Sequence, residues 1–156
     1  MPLVARSAIQ GVFCLRIELS VDIITSNTIN CGVKMAENKK ILVVEDEKAI
    51  SEALTLKLEH SGYTVEAASN GEEGLALAQK GNFDLVVLDL IMPKLDGFGF
   101  LEEAKKAGVK TPVIVASNLS QPEDETRARD LGAKDFYIKS NVSVAEIVEK
   151  IESILK

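Results

Sequence analysis

The chain has 156 residues, with 24 acidic against 18 basic side chains for a formal net charge of −6; 46% of its residues are hydrophobic and 27% are charged. Such a mixture describes one soluble globular domain and excludes a disordered or fibrous chain. The acidic balance argues against a surface built for nucleic-acid phosphate, and no run of about 18 uncharged apolar residues offers a membrane span.

Composition changes near Met35. Residues 1–34 hold both cysteines, Cys14 and Cys31, at no metal-ligand spacing, together with three basic and two acidic side chains. From Phe13 to Ile23 apolar residues alternate with Cys14, Arg16, Glu18, Ser20 and Asp22, a period of two that reads as an extra strand. A signal peptide does not fit, because Gln10 breaks the uncharged stretch from Ser7 to Leu15 and no small-residue cleavage site follows. Met35 reads as the natural start, which makes 1–34 an extension outside the domain and 35–156 the domain itself. That domain carries 15 basic and 22 acidic side chains and no cysteine, a composition suited to the reducing cytoplasm.

Ile41-Leu42-Val43-Val44 is a continuous apolar run, followed by Glu45-Asp46-Glu47 and a helical pattern on Ile50, Ala53, Leu54 and Leu58 that stops before Gly62. Tyr63 to Ala68 reads as a second strand. Asn70 with Glu73 opens the helix of Leu75, Leu77 and Ala78, which Gly81-Asn82 ends. Leu85 to Leu88 is a third strand, Met92 to Gly97 a turn-rich loop, and Phe98 to Lys106 a third helix. Val113 to Ala116 follows as a fourth strand, and Ser120 with Glu123 predicts the start of a fourth helix that stops at Gly132. Phe136-Tyr137-Ile138 is a short fifth strand. Ser143 to Glu146 is a capping box for a last helix whose Val144, Ile147, Val148, Ile151 and Ile154 form one apolar face.

Five short apolar strands alternating with five helices predict a doubly wound α/β fold, a five-stranded parallel sheet with helices on both faces. Right-handed crossovers put all strand carboxyl ends on one edge, where such folds bind ligands. The residues just past those ends are Glu45 and Asp46, then Asp89, Ser117 and Lys139. Three carboxylates brought together repel one another unless a cation joins them. An all-oxygen set of this size suits Mg²⁺, or Mn²⁺ in its place, which keeps waters and shares its shell with phosphate. Lys139 adds a second positive charge and Ser117 a hydroxyl donor, enough to hold a phosphoryl group. Asp89 can then serve as the nucleophile that forms an aspartyl phosphate.

Four blocks carry a resemblance to the receiver domain of bacterial two-component response regulators. They are Ile41-Leu42-Val43-Val44-Glu45-Asp46-Glu47, Asp89-Leu90-Ile91-Met92-Pro93-Lys94-Leu95-Asp96-Gly97, Pro112-Val113-Ile114-Val115-Ala116-Ser117 and Gly132-Ala133-Lys134-Asp135-Phe136-Tyr137-Ile138-Lys139. The resemblance spans residues 40–156 and implies a flavodoxin-like strand order of 2-1-3-4-5. It implies that Asp89 accepts phosphate from a sensor histidine kinase or a phosphotransfer protein. Glu45 and Asp46 become the acidic metal pair, with the backbone carbonyl of Ile91 as a further ligand. Ser117 and Lys139 become the phosphate-sensing hydroxyl and cation, and Phe136 falls at the position of an aromatic switch. The face of the fourth helix, fifth strand and fifth helix, with Arg127, Arg129 and Lys134, becomes the surface for a downstream protein. Because the last helix reaches Lys156, the final residue, output is expected through contacts rather than direct binding of nucleic acid or membrane.

Three residues depart from the family pattern. Glu45 stands where Asp is commoner, which lengthens its reach to a metal by one methylene. Asn118 occupies a position that often holds a small residue beside the phosphate. Ser140 replaces the proline that usually follows the lysine, and a cis bond without proline costs about 2.5 to 4 kcal/mol. Two other classes of function compare less well. An aspartyl-phosphate phosphohydrolase of the haloacid-dehalogenase kind needs a second Asp where this chain has Ile91, and a flavodoxin-like flavin carrier would meet repulsion from Glu45-Asp46-Glu47. A pseudo-receiver that docks without being phosphorylated stays open as an alternative. His60 reads as a surface residue at a helix C-terminus.

Overall fold

The computed structural model describes residues 39–156. The expected strand Phe13–Ile23 and the boundary at Met35 lie outside the described residues.

Strands and helices alternate throughout: β1 (Lys40–Val44), α1 (Lys48–His60), β2 (Thr64–Ala68), α2 (Gly71–Lys80), β3 (Leu85–Leu88), α3 (Gly97–Lys106), β4 (Val113–Ser117), α4 (Pro122–Asp130), β5 (Ala133–Ile138) and α5 (Val144–Ile154). All strand pairs are parallel, in the order β2-β1-β3-β4-β5. The expected doubly wound sheet is therefore present. Its order reverses at β1, which pairs β2 on one side and β3 on the other.

Successive side chains of a strand point to opposite faces, and this period splits the core in two. Leu42, Val44, Val86, Leu88, Val113 and Val115 pack in one cluster with Ala78 of α2, Phe100, Leu101 and Ala104 of α3 and Ala128 of α4. Ile41, Val43, Leu85, Val87, Ile114 and Ala116 pack in the other with Leu54 and Leu58 of α1 and Ile147, Val148 and Ile151 of α5. The central strands β1, β3 and β4 are buried on both sides, which is why they read as unbroken apolar runs.

Local signals account for most of the helix ends. Asn70 Oδ1 accepts the Glu73 N–H at 3.0 Å. The Ser143 Oγ accepts the Glu146 N–H at 3.3 Å while Glu146 Oε2 accepts the Ser143 N–H at 2.6 Å, the reciprocal box predicted for α5. Removing that box in Ser143→Ala lowers stability by about 1 kcal/mol, read as a shift of the urea midpoint.

Three details differ from expectation. Ser120 does not cap α4. Pro122 fits only the first helical turn, where its missing N–H is not needed, and it holds Gln121 extended at ψ 138°, so the helix begins at the proline. β5 starts at Ala133 rather than Phe136, because a register shift at Val113/Ile114 lets Ala133 pair before the irregularity. On α1, Ala53 faces solvent and Leu54 and Leu58, four residues apart, carry the buried face. His60 closes α1 as an exposed residue, as predicted. No helix among the described residues is long and apolar enough to cross a membrane.

Candidate functional site

The three carboxylates expected at the strand ends come together. One oxygen from each of Glu45, Asp46 and Asp89 lies within 4.8 Å of the others. Parallel pairing of β1 with β3, Val44 opposite Leu88, brings Glu45 and Asp89 side by side as each strand ends. Glu45 and Asp89 are buried at 4% and 6% exposure, and Asp46 is exposed.

Lys139, just past β5, reaches into this cluster. Its Nζ lies 2.5 Å from Glu45 Oε2 and 2.7 Å from Asp89 Oδ2. The backbone orients the rest of Asp89, whose Oδ1 accepts the N–H groups of Leu90 at 2.6 Å and Ile91 at 3.2 Å. The other Glu45 oxygen, Oε1, is buried and has no hydrogen-bond partner.

One ammonium cannot balance three carboxylates. At 4.8 Å apart, two like charges repel by about 3 kcal/mol at an effective dielectric of about 20. Burial and the neighbouring charges both act on the proton affinities. Burial pushes the Glu45 carboxyl above the usual carboxylate range, and the Asp89 charge adds to the rise against the pull of Lys139. Burial would lower the Lys139 ammonium, yet the Asp89 and Glu45 carboxylates outweigh it and hold that group above the ordinary lysine range. An unpartnered buried oxygen, an all-oxygen donor set and two uncompensated negative charges fit a divalent cation.

Ser117 is the last residue of β4 and fully buried. Its Oγ accepts one long contact from the Leu119 N–H at 3.4 Å, and its carbonyl accepts the Lys139 N–H at 2.9 Å. The ends of β4 and β5 are thus joined at the two residues expected to act together. Phe136, opposite Val115, packs in the core cluster on the α2–α3–α4 side at 8% exposure. Ile91 turns its side chain outward at 54% exposure. Asn118 and Ser140 are exposed, and no peptide among the described residues is cis.

The basic residues expected on one face divide. Arg129 bonds Glu125 at 2.9 Å and Asp135 at 3.0 Å, bridging α4 to β5, and Lys134 is exposed. Arg127 turns towards α3 instead, its guanidinium 4.2 Å over the Phe98 ring and 3.7 Å from Glu102.

Sequence reasoning missed two positioning glycines. A Cβ on Gly97 would sit 2.4 Å from the Asp89 carbonyl oxygen, and one on Gly71 would sit 2.1 Å from the Leu95 carbonyl oxygen. The Gly97 N–H also bonds the Leu90 carbonyl at 3.0 Å. Gly97 ends the turn-rich loop after Asp89, where a glycine signals a special backbone role, whereas nothing local to Gly71 announces its contact.

Comparisons with known proteins show the family. The family model for the response regulator receiver domain matches residues 41–152. The transcriptional regulatory protein DltR of Streptococcus agalactiae is 42% identical over 100 residues, which cover 64% of this chain and 45% of that protein. The chain spans about half the length of the curated relatives it matches. Among solved structures, the receiver domain of the Francisella response regulator 1452 is 32% identical with a TM-score of 0.71, covering 76% of this chain and 97% of that one. The Borrelia burgdorferi chain solved in a CheX–CheY–BeF3–Mg²⁺ complex is 26% identical with a TM-score of 0.70, covering 76% and 90%. With its sheet order, its acidic cluster and a model match over nearly all the described residues, the chain belongs to the receiver domain family of two-component response regulators.

Proposed function

We propose that Asp89 is the phosphoacceptor and that the chain works as a cytoplasmic signalling switch charged by a sensor histidine kinase or a phosphotransfer protein. The observation that carries this reading is the buried Asp89 carboxylate, held by two backbone N–H groups and by Lys139, beside two further carboxylates. An Asp89 oxygen forms a bond to phosphorus as the donor's phosphorus–nitrogen bond breaks, and the donor histidine leaves as imidazole. Glu45, Asp46, Asp89 and the Ile91 carbonyl would hold Mg²⁺, or Mn²⁺, which supplies neutralisation of the phosphoryl oxygens when bound. Lys139 neutralises the group from the other side. The reaction modifies the chain itself, so the protein is not an enzyme with a separate substrate.

Ser117 couples the event to the surface. Its hydroxyl gives up only a 3.4 Å contact when a phosphoryl oxygen draws it inward. Phe136 then repacks on β5, and the face of α4, β5 and α5 meets a downstream protein in a changed form. Direct contact with nucleic acid is not part of this reading, in line with the chain's net negative charge.

Incubation with Mg²⁺ and acetyl phosphate tests it. The expected result is a mass gain of one phosphoryl group on wild type, and a matching response to beryllofluoride in the amide spectrum. A folded wild type that takes up neither is a pseudo-receiver. Steady release of phosphate from added phosphomonoesters instead marks a hydrolase.

A further inference from the structure

Val44, the last residue of β1, is the backbone neighbour common to all three carboxylates. Glu45 and Asp46 follow it in the chain, and its carbonyl accepts the Asp89 N–H at 3.0 Å. Its side chain is 1% exposed and packs in the core cluster that includes Ala78 of α2. The α2 residue it meets most closely is Gly74, where a Cβ would sit 2.7 Å from both Val44 Cγ atoms. A buried valine is stiff about its first side-chain torsion, so it cannot turn both methyls away at once. The helix has little room to retreat. One turn earlier Gly71 lies against the Leu95 carbonyl, in the loop that runs on from Asp89 and Ile91. A displacement at Gly74 is therefore passed either to Val44 or through α2 to that loop, and both lead to expected cation ligands.

We propose that Gly74 is a positioning residue for the acidic trio, because its missing side chain lets α2 seat against Val44 and so sets the spacing of Glu45 and Asp46 from Asp89. The inference rests on the cation reading of the site. Close-packed interiors transmit strain rather than absorb it, so a methyl group under Val44 is felt at the residues that Val44 holds. Mg²⁺ demands near-ideal ligand geometry, and a small shift of one carboxylate weakens its binding. Local propensity argues for the opposite residue at this position, since alanine is the better helix former. Packing against Val44 is what favours the glycine.

A double-mutant cycle of Gly74→Ala with Val44→Ala on the full chain tests it. Mg²⁺ affinity is read by calorimetry with trimethylamine N-oxide present, which favours the folded state, and circular dichroism checks that each variant is folded. Gly74→Ala is expected to weaken Mg²⁺ about tenfold, the scale of loss seen when a residue that orients metal ligands is changed. Val44→Ala removes both Cγ atoms that the new methyl would strike, and in that background Gly74→Ala is expected to change affinity by less than about twofold. Gly81→Ala, at the open end of the same helix, is the control and leaves Mg²⁺ affinity unchanged. Wild-type affinity in folded Gly74→Ala overturns the proposal, and so does an equal loss in both Val44 backgrounds. Amide resonances give a second reading without cation. Those of Glu45, Asp46 and Asp89 are expected to move in Gly74→Ala and to move far less when residue 44 is alanine. Unmoved resonances overturn the positioning whether or not Mg²⁺ binds. Folded wild type that binds no Mg²⁺ overturns the cation reading, and the resonances then decide the role of Gly74 by themselves.

Discussion

Asp89→Asn is expected to abolish phosphoryl uptake while leaving the domain folded. The amide keeps an oxygen that can accept the Leu90 and Ile91 N–H groups, so the local backbone geometry survives. It removes the charged nucleophile, and acetyl phosphate with Mg²⁺ should then produce no mass gain. Stability should change little, since Lys139 retains its 2.5 Å pair with Glu45. Breaking a buried ion pair costs about 3 to 5 kcal/mol when a charge is stranded, but here none is. A urea midpoint near that of wild type, together with complete loss of labelling, is the expected pair of results. Persistent labelling of Asp89→Asn would move the acceptor to another residue.

Gly97→Ala should damage both stability and the site, because its methyl group meets the segment that carries Asp89. In an open helix the change would be favourable by up to about 1 kcal/mol. At Gly97 the new carbon would meet the Asp89 carbonyl oxygen at 2.4 Å and the Leu90 Cα at 2.7 Å, both backbone atoms that cannot rotate away. Overpacking of this kind costs about 1 to 3 kcal/mol, which exceeds the helix gain. The strain also falls on the segment that carries Asp89. Denaturant unfolding should show the lost stability, and acetyl phosphate labelling should slow even where the protein remains folded. Gly81→Ala is a useful contrast, because nothing lies within 4 Å of a Cβ there. Its penalty comes from the backbone angle, φ +75°, and should leave labelling unchanged.

Which residues converge was readable before any coordinates, because chemistry in a doubly wound sheet gathers at the strand carboxyl ends. Glu45, Asp46, Asp89 and Lys139 follow their strands directly, and Ser117 is the last residue of β4. The basic face was less legible. Arg127 and Arg129 are two residues apart on one helix and look equivalent in sequence, yet one reaches β5 and the other covers Phe98 on α3. Their separation of about 200° around the helix sends them to different neighbours. The α4 start departs from the expectation for a local reason, because the φ restriction of Pro122 overrides the serine signal at Ser120.

The amino-acid order by itself determined the strands, the helices, the Asn70 and Ser143 caps and the set of chemical groups at the sheet edge. Those features depend on neighbours within a few residues, so periodicity and capping suffice to reveal them. Only the tertiary structure decided that Lys139 pairs with Glu45 across 94 residues as well as with Asp89, and that Gly71 lies against the Leu95 carbonyl. Both contacts depend on distances of a few ångströms between segments far apart in the chain, and strand register and helix packing set those distances.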